Sequence, residues 1–392
     1  MITRCFFTIM SFRIFTLFLL STLFSACTIS AHPSATSSPQ SLRSGNEPRF
    51  INLDLQDDRT ELFGQLADKR VIFIGEVHDS PSHHQNQLRV IQGMFELDPN
   101  LAIGIEYFQQ PFQQYLDDYI AGKLDDRELL TKSEYFVRWK FDYRLVQPIF
   151  EFARNNKIPL LALNVPYEIH NKVFQGGMGS LNPAELKQIP DFIQPANSHY
   201  LQHLRSVFDY HPQGSYFNFF LEGVLLWDEA MAAAAARYLD EHPKYRMVVL
   251  AGMSHIIYGD GIPERINRRL GDNQSAVIIN GYDFGKNPGI ADFQLATDDS
   301  IKLPTAGKLG LTVADFSNYS YIADISPGSA AEVAGLSVGD RIVTFNGMSV
   351  SNILDLKSIM YDKVPGDQAQ IIVLRDRPAE SPLQLHFTVE LR

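Results

Sequence analysis

The sequence predicts an α/β fold, with a mostly parallel sheet and a helical subdomain, followed by a small β-rich domain. Short apolar runs rich in β-branched residues alternate with segments that are long enough for crossover helices. The runs are apolar at nearly every position, as in strands that are buried on both faces of a parallel sheet. After about residue 303 the pattern changes to short strands around two helices, which indicates a second domain.

The predicted strands of the larger domain are continuous apolar runs, at 70–75, 101–105, 158–163, 247–251 and 276–279. Segment 183–239 carries no comparable run and has helical patterning, including an alanine-rich stretch, so it predicts a helical subdomain over the sheet. Segment 287–304 is polar and contains Gly and Pro, which indicates a boundary. We therefore predict an α/β domain at 49–290 and a smaller domain at 303–392.

The first 26 residues have the pattern of a secretory signal peptide. Arg4 and Arg13 precede an apolar run that is too short to span a hydrocarbon layer of about 30 Å. Cys27 follows two small residues, as in a bacterial lipobox, although Phe24 stands where that motif usually has Leu. The resemblance implies lipid attachment at Cys27 and, because Thr28 rather than Asp follows, an outer-membrane lipoprotein that faces the periplasm. The alternative is that Cys27 is removed or remains a free thiol.

Residues 27–48 are predicted to be the lipidated Cys and a flexible tether, because 31–48 is rich in Ser, Pro and Thr. The other cysteine, Cys5, lies in the predicted signal peptide, so no internal disulfide is expected in the mature chain. The formal net charge of the whole chain is −11. This acidic balance argues against nucleic acid as a partner.

Three predicted strands end in polar residues, at the edge where open parallel sheets place their binding sites. A Gly-x-x-His motif ends two of them and supplies His78 and His255; Glu76 and Glu106 also lie at strand ends. Such a carboxylate and imidazole set can bind a divalent metal ion and leave positions open for water. Without a metal, the same groups can act as general acid and base. The structural alternative is that each residue caps a helix or holds a loop.

Four more residues are predicted near this pocket. Asp79 follows the first Gly-x-x-His, and His84 is favoured over His83 because successive helical side chains point about 100° apart. Asp228, on a predicted helix, is a candidate partner for a pocket histidine. Arg265 is a candidate partner for an anion.

Five motifs in order, GEVHD with the following HH, GIEYF, LALNVP, LWDEAMA and AGMSHIIYGDGIPERI, resemble the ChaN-like haem-binding lipoproteins. The resemblance covers about residues 50–285. It implies haem or another iron-containing ligand, a role in iron or haem uptake, cofacial haem binding and a homodimer. The wider resemblance to TIKI/TraB-type metalloproteases and erythromycin-esterase-like hydrolases implies that Glu76, His78, Glu106 and His255 serve in catalysis or metal binding.

The resemblance also implies a tyrosine ligand for haem iron. The sequence offers Tyr107, Tyr200, Tyr210 and Tyr258, and no motif selects one of them. Tyr107 and Tyr258 are the candidate ligands, and the resemblance does not assign the ligand to either.

The segment SPGSAAEVAGLSVGDRIVTFNG resembles a PDZ domain. Leu309, Gly310 and Leu311 match its carboxylate-binding loop, whose backbone N–H groups hold a peptide C-terminus while the peptide adds a strand to the sheet. Leu356 and Ile359 on the following helix would influence ligand preference. A purely structural PDZ domain is the alternative.

With these resemblances, the sequence predicts a non-catalytic, membrane-anchored lipoprotein that binds haem or another iron-containing ligand and recruits an envelope protein or peptide through its PDZ domain. The alternative function is a metal-dependent hydrolase or protease that uses the Glu/His site. A third hypothesis is a role in protein interaction alone.

Overall fold

The computed structural model describes residues 46–209, 216–281 and 287–392. The predicted signal peptide, Cys27, nearly all of the tether and Tyr210 lie outside these residues. Across the described ranges, no helix has the length and apolar character needed to cross a membrane.

Seven parallel strands form the sheet of the first domain, as far as the chain is described. Its order is β1-β7-β6-β2-β5-β3-β4. The five predicted strands are present, and the predicted α/β class is confirmed. In chain order the strands are β1 (Arg49–Ile51), β2 (Val71–Glu76), β3 (Leu101–Gln109), β4 (Leu160–Asn164), β5 (Arg246–Gly252), β6 (Ser275–Asn280) and β7 (Phe293–Leu295).

Helices cover both faces of this sheet. Ile72 and Ile74 of β2 belong to one apolar cluster, while Val71 and Phe73 belong to the cluster on the opposite face, as the two-residue period of a strand requires. The helices are α1 (Gln56–Leu66), α2 (Pro81–Leu97), α3 (Gln113–Ile120), α4 (Asp126–Lys132), α5 (Tyr135–Arg138), α6 (Gln147–Asn156), α7 (Tyr167–Gly176), α8 (Pro183–Leu186), α9 (Ser198–Phe208), α10 (Phe217–Glu241) and α11 (Ile262–Leu270). Short 3₁₀ helices lie at Gln110–Phe112, Tyr143–Leu145, Met178–Ser180, Met253–His255 and Ile257–Gly259.

The predicted helical subdomain corresponds to α8, α9 and α10. The alanine-rich stretch of α10 packs on the sheet, because Ala232, Ala235 and Ala236 are buried in the same cluster as Val249 of β5. Small side chains there let the helix backbone lie close to the strands.

Strand β7 lies within the polar segment that the composition marks as a boundary. Its residues pair with β6 on one side and with β1 on the other. The predicted limit of the α/β domain at residue 290 therefore omits one strand of its sheet. Three-residue strands form through long-range pairing, and their own sequence carries too short a pattern to reveal them.

The C-terminal domain is an antiparallel sheet of order β13-β12-β10-β9-β8, with β11 paired to β10. A two-residue turn at Asn346 and Gly347, both with positive φ, joins β10 to β11, as the Asn-Gly sequence predicts. Strand β8 is an edge strand. The elements are β8 (Leu311–Phe316), β9 (Tyr319–Ile325), α12 (Ala330–Ala334), β10 (Arg341–Phe345), β11 (Met348–Ser349), α13 (Ile353–Met360), β12 (Gln368–Arg377) and β13 (Glu380–Glu390).

The two domains touch through α13, which packs against α4 and α5. At the end of α13 the ring of Tyr361 lies edge-on to Tyr143, with centroids 5.7 Å apart. Arg144 Nη1 donates a hydrogen bond of 2.9 Å to the carbonyl of Pro304, in the linker. These contacts hold the C-terminal domain against α4 and α5 of the first domain.

Candidate functional site

The first part of the site is a carboxylate–imidazole pair at the end of β2. Nδ1 of His78 lies 2.8 Å from Oε1 of Glu76. The other oxygen of Glu76 accepts hydrogen bonds from Gln87 Nε2, at 2.6 Å, and from the hydroxyl of Tyr107, at 2.5 Å. Glu76 is buried, and both of its oxygens are occupied by protein donors.

The charges at this pair are set by competition between burial and partners. Burial alone would raise the pKa of Glu76, but His84 and His78 outweigh it, so the pKa of Glu76 lies below its usual value. Burial opposes a charged His78, yet the hydrogen bond to Glu76 and the charge of Glu106 raise the pKa of His78. The pair therefore favours a carboxylate beside an imidazolium.

A second carboxylate–imidazole pair lies at the end of β5. Nδ1 of His255 is 2.6 Å from Oδ1 of Asp228, and the hydroxyl of Tyr200 donates to the other oxygen of Asp228 at 2.7 Å. Asp228 is completely buried. Burial disfavours the charged imidazole, but Asp228 and then Glu106 overcome it and raise the pKa of His255 to about 9.

Glu106, in the C-terminal half of β3, lies between the two pairs. Its Oε2 accepts the backbone N–H of Gly252 at 2.7 Å, and its Oε1 is 3.7 Å from Nε2 of His255. A Cβ atom at residue 252 would lie 3.0 Å from Cε1 and 3.1 Å from Nε2 of His78. A Cβ atom at these distances would be crowded, and the ring of His78 would have to move by a few tenths of an ångström.

The four predicted residues Glu76, His78, Glu106 and His255 are therefore brought together at the carboxyl ends of β2, β3 and β5. Asp228 joins them through His255, as predicted for a partner of a pocket histidine.

Aromatic rings cover both histidines. His78 packs against Trp139 and Phe141, with centroid distances of 4.8 and 5.1 Å. His255 packs against Trp227 at 5.4 Å, and the ring of Trp227 lies 4.1 Å from that of His170. An indole ring therefore packs against each of the two histidines.

Two further histidines near the second pair were not singled out from the sequence. Among the described residues, Nε2 of His170, Nε2 of His203 and Nε1 of Trp227 are buried without a hydrogen-bond partner. Burial lowers the pKa of His170 to about 3, and burial also lowers the pKa of His203; in both cases His255 contributes in the same direction. Both are neutral imidazoles with an unpaired nitrogen, a state that only the tertiary structure reveals.

Of the adjacent histidines on α2, His84 is the one that lies beside the first pair. Its Nδ1 is 3.6 Å from Oε2 of Glu76, and its Nε2 is 3.1 Å from the carbonyl oxygen of His78. His83 instead accepts the backbone N–H of Val77 at 2.9 Å. Asp79 is exposed.

Arg265 does not occupy the position expected of an anion-binding residue. It is completely buried, its Nε is 3.2 Å from Oε2 of Glu229, and its other nitrogens donate to the carbonyls of Gly261 and Gln194. Glu229 also pairs with Arg268 and Arg269. The guanidinium is occupied by protein groups because Glu229, one residue after Asp228 on α10, faces α11.

The tyrosine candidates differ in their surroundings. Burial and nearby carboxylates raise the pKa values of Tyr107 and Tyr200 well above the ordinary value, so both stay protonated phenols. Tyr258 is half-buried, has positive φ, and lies edge-on to His199 at 4.5 Å. Tyr210 falls outside the described residues.

A divalent metal site was one interpretation of the Glu/His set. The described ranges contain no group of three or more His, Cys, Asp or Glu side chains arranged to hold a metal ion. The reason lies in the pairing described above, since both oxygens of Glu76 and Nδ1 of each pocket histidine are occupied by protein partners.

In the C-terminal domain, Gly310 has φ +72°, and a Cβ there would lie 2.4 Å from Cβ of Ser329. Leu309 is buried, whereas Leu311 on the edge strand is half-buried. Leu356 and Ile359 are buried in the core of this domain.

Comparison with known proteins assigns both domains. The family model described as "Haem-binding uptake, Tiki superfamily, ChaN" matches residues 62–266, and the PDZ domain model matches residues 307–381.

Individual proteins are more distant. Protein RETICULATA-RELATED 5, chloroplastic, of Arabidopsis thaliana is 22% identical over 248 residues, which are 57% of this chain and 32% of that protein; the chain spans about a third of the relative's length. The structure "Cofacial heme binding to ChaN of Campylobacter jejuni" has a TM-score of 0.48 and 18% identity, and covers 60% of this chain and 90% of that chain. An HtrA-type protease, AlgW, with a decapeptide has a TM-score of 0.20 and 23% identity over 22% of this chain and 30% of that chain.

Proposed function

Because the chain belongs to the ChaN-like haem-binding uptake family of the Tiki superfamily, we propose that its α/β domain binds haem and that its PDZ domain binds the C-terminus of a partner protein. The family match confirms the resemblance predicted from the five motifs, and the PDZ match confirms the second. The observation that carries the haem proposal is the match itself, which spans strands β2, β3, β4 and β5 and hence both carboxylate–imidazole pairs.

The donor groups of the chain fit this ligand. Haem would supply an iron centre, which an imidazole nitrogen or a tyrosinate oxygen would hold. His170 and His203 offer neutral imidazoles with unpaired Nε2 atoms, and Tyr258 offers a half-buried phenol. Tyr107 and Tyr200 fit poorly, because each hydroxyl proton is shared with a buried carboxylate.

Titration with hemin tests the proposal. The full chain in detergent should show a saturable Soret band, and His170→Ala, His203→Ala and Tyr258→Phe should reveal which side chain holds the iron through loss or displacement of that band. His242→Ala is the matched control, since His242 is exposed on the end of α10. A linear, unsaturable absorbance in the wild-type chain would contradict haem binding.

Support for peptide binding by the PDZ domain comes from its edge and its loop. Strand β8 has a free edge in the described sheet, and the loop before it contains Gly310 in a conformation that an L residue rarely adopts. An extended peptide can add to such an edge while loop N–H groups hold its carboxylate. The partner is therefore proposed to be an envelope protein with an accessible C-terminus.

One observation favours a second function, hydrolysis by acid–base catalysis. Two carboxylate–imidazole pairs flank Glu106, and each carboxylate holds Nδ1, which directs Nε2 away from it. His255, with a pKa of about 9, would donate a proton to a leaving group at neutral pH. The PDZ domain would then deliver peptide substrates.

Assays on p-nitrophenyl esters and on fluorogenic casein test this second function. General acid–base catalysis contributes about 10²- to 10⁴-fold, so His78→Ala and His255→Ala should each lose activity by that order while His242→Ala keeps it. Equal background rates in the wild type and in the three variants would contradict the hydrolase function.

The membrane anchor also belongs to the proposal. The lipobox-like sequence before Cys27 supports a lipoprotein of the outer membrane, facing the periplasm, and the family supports a homodimer. Metabolic labelling with palmitate should mark the wild type and not Cys27→Ala. Sedimentation with and without hemin should show whether haem promotes the dimer.

A further inference from the structure

Segment 134–141, which we name the Trp139 segment, is held in an unusual backbone conformation at both ends. It contains α5 and lies between the two domains. Glu134 has φ 54° and Lys140 has φ 74°, and neither is a glycine. Residues with a side chain rarely adopt this left-handed conformation, and where they do the surroundings must hold them in place. The two residues lie only six positions apart. If the surrounding packing changes, each can return to a more common backbone conformation, so the segment can shift readily.

One side of the Trp139 segment contacts the pocket. Trp139 packs on His78 at 4.8 Å and on Tyr107 at 5.2 Å, and Phe141 packs on His78 at 5.1 Å. Tyr107 and His78 both hydrogen bond to Glu76. A displacement of Trp139 would therefore uncover His78 and loosen the first carboxylate–imidazole pair.

The other side contacts the PDZ domain. Helix α13 packs on α5 and α4. From its last turn a continuous row of aromatic rings leads inward: Tyr361 to Tyr143 at 5.7 Å, and Tyr143 to Tyr135, the first residue of α5, at 5.6 Å. Because these rings and helices are closely packed, α13 has little freedom to move independently of the Trp139 segment.

Helix α13 is also tied to the peptide-binding edge. Oδ1 of Asp315, on β8, accepts the backbone N–H of Ile353 at 2.9 Å and the hydroxyl of Ser320 at 2.6 Å. This carboxylate joins the edge strand to the first turn of α13. A peptide that adds to β8 beside α13 would therefore act on the hydrogen bond between Asp315 and Ile353.

We propose that peptide binding by the PDZ domain controls access to the His78 side of the pocket, through α13 and the Trp139 segment. This inference rests on the proposed peptide binding. In the peptide-free state Trp139 and Phe141 cover His78; a bound peptide shifts α13 and, with it, the two rings. By reciprocity, a ligand that displaces Trp139 from His78 changes the affinity for the peptide by the same factor.

Tryptophan fluorescence gives a direct test, because the chain has two tryptophans and Trp227→Phe leaves Trp139 as the sole emitter. The probe is a decapeptide with a free α-carboxylate. It is selected for binding to the wild-type chain from a peptide library in which every member has a free C-terminus. The same peptide with a C-terminal amide is the control. The free-acid peptide should change the acrylamide quenching constant of Trp139 at least two-fold, and the amide should not.

A second variant tests the coupling without any peptide. Tyr361→Ala removes the ring that joins α13 to Tyr143, and should alter Trp139 quenching by itself. Tyr319→Ala is the matched control, since Tyr319 lies on β9 and packs against Phe316 and Arg341. Unchanged Trp139 emission in Tyr361→Ala and in the peptide complex would overturn the coupling. Failure of every library peptide to bind would instead contradict the proposed PDZ function, and Tyr361→Ala would still decide the coupling.

Discussion

Nδ1 of His255 lies 2.6 Å from Oδ1 of Asp228, in a contact that both residues make in the buried interior of the α/β domain. The two residues come from different elements, α10 and the turn after β5. Their pairing raises the pKa of His255 to about 9 and leaves Nε2 directed toward Glu106. With Glu76 and His78 on the other side of Glu106, the site has two carboxylate–imidazole pairs around one carboxylate.

Asp228→Asn should lower the pKa of His255 by about one unit or more, because burial then acts against the imidazolium with less opposition. Because the pKa of His255 is raised in the folded state, its pairing stabilises the native state fully below pH 6.5, the ordinary pKa of histidine. This stabilisation is lost as the pH rises through about 9. One pKa unit corresponds to about 1.4 kcal/mol, so the variant should lose at least about 1.4 kcal/mol of unfolding free energy at pH 6, with the deficit narrowing toward pH 10. Histidine NMR titration and urea unfolding check both effects. Asp240→Asn, at an exposed site on the same helix, should show neither.

Glu76→Gln should destabilise the fold by about 3–5 kcal/mol at neutral pH, because it removes the buried charge that His78 faces. Since the pKa of Glu76 is lowered, its contribution is present above 4.5 and is lost as pH falls through the folded-state value. Denaturant unfolding from pH 7 to pH 3 should show the gap to wild type closing on acidification. The exposed Glu151→Gln should stay within about 0.5 kcal/mol of wild type, and an equal effect in both variants would argue against the pair.

Alanine at the two glycines of the pocket strands should have different consequences. In Gly252→Ala the new Cβ meets His78, whereas in Gly75→Ala it would lie 2.6 Å from Cγ of Met253 and 2.8 Å from Cδ1 of Ile256. We expect Gly75→Ala to cost about 1–3 kcal/mol of stability through overpacking. Gly252→Ala should chiefly alter the His78 titration. Thermal unfolding and NMR separate the two, and a shifted His78 titration in Gly75→Ala alone would contradict this division.

Much of the fold followed from local pattern. Continuous apolar runs predicted β2 to β6, and the glycine and polar residues after them located the pocket at the strand ends. Strands β1 and β7 were not predictable, because each has three residues and forms only through pairing with distant segments.

The site residues at strand ends could be predicted from the sequence. The residues that reach the site only through tertiary packing were much harder to predict. The partner of His255 was anticipated in Asp228, but the third member, Tyr200, reaches it from another helix. His170 and His203 were missed because their significance lies in unpaired nitrogens, which no motif records. Arg265 was expected to meet a ligand, whereas Glu229 had already paired with it.

Gly310→Ala should abolish peptide binding by the PDZ domain while leaving hemin binding intact. The residue has φ +72°, and the added Cβ would clash with Ser329, so the loop must change shape. Gly347→Ala is the matched control, because Gly347 has φ +77° and nothing within 4 Å of the added Cβ. Fluorescence anisotropy with the selected decapeptide measures both. Equal affinities in the two variants would mean that this loop does not hold the carboxylate.

The most direct test of the central claim is the haem content of the full chain purified in detergent from cells grown with added haem, measured as the pyridine haemochrome per chain. We predict a stoichiometric amount in the wild type and a reduced amount in the His170→Ala and His203→Ala double variant, with His242→Ala unchanged. A wild-type chain that carries no haem, and takes up none on titration with hemin, would contradict haem binding.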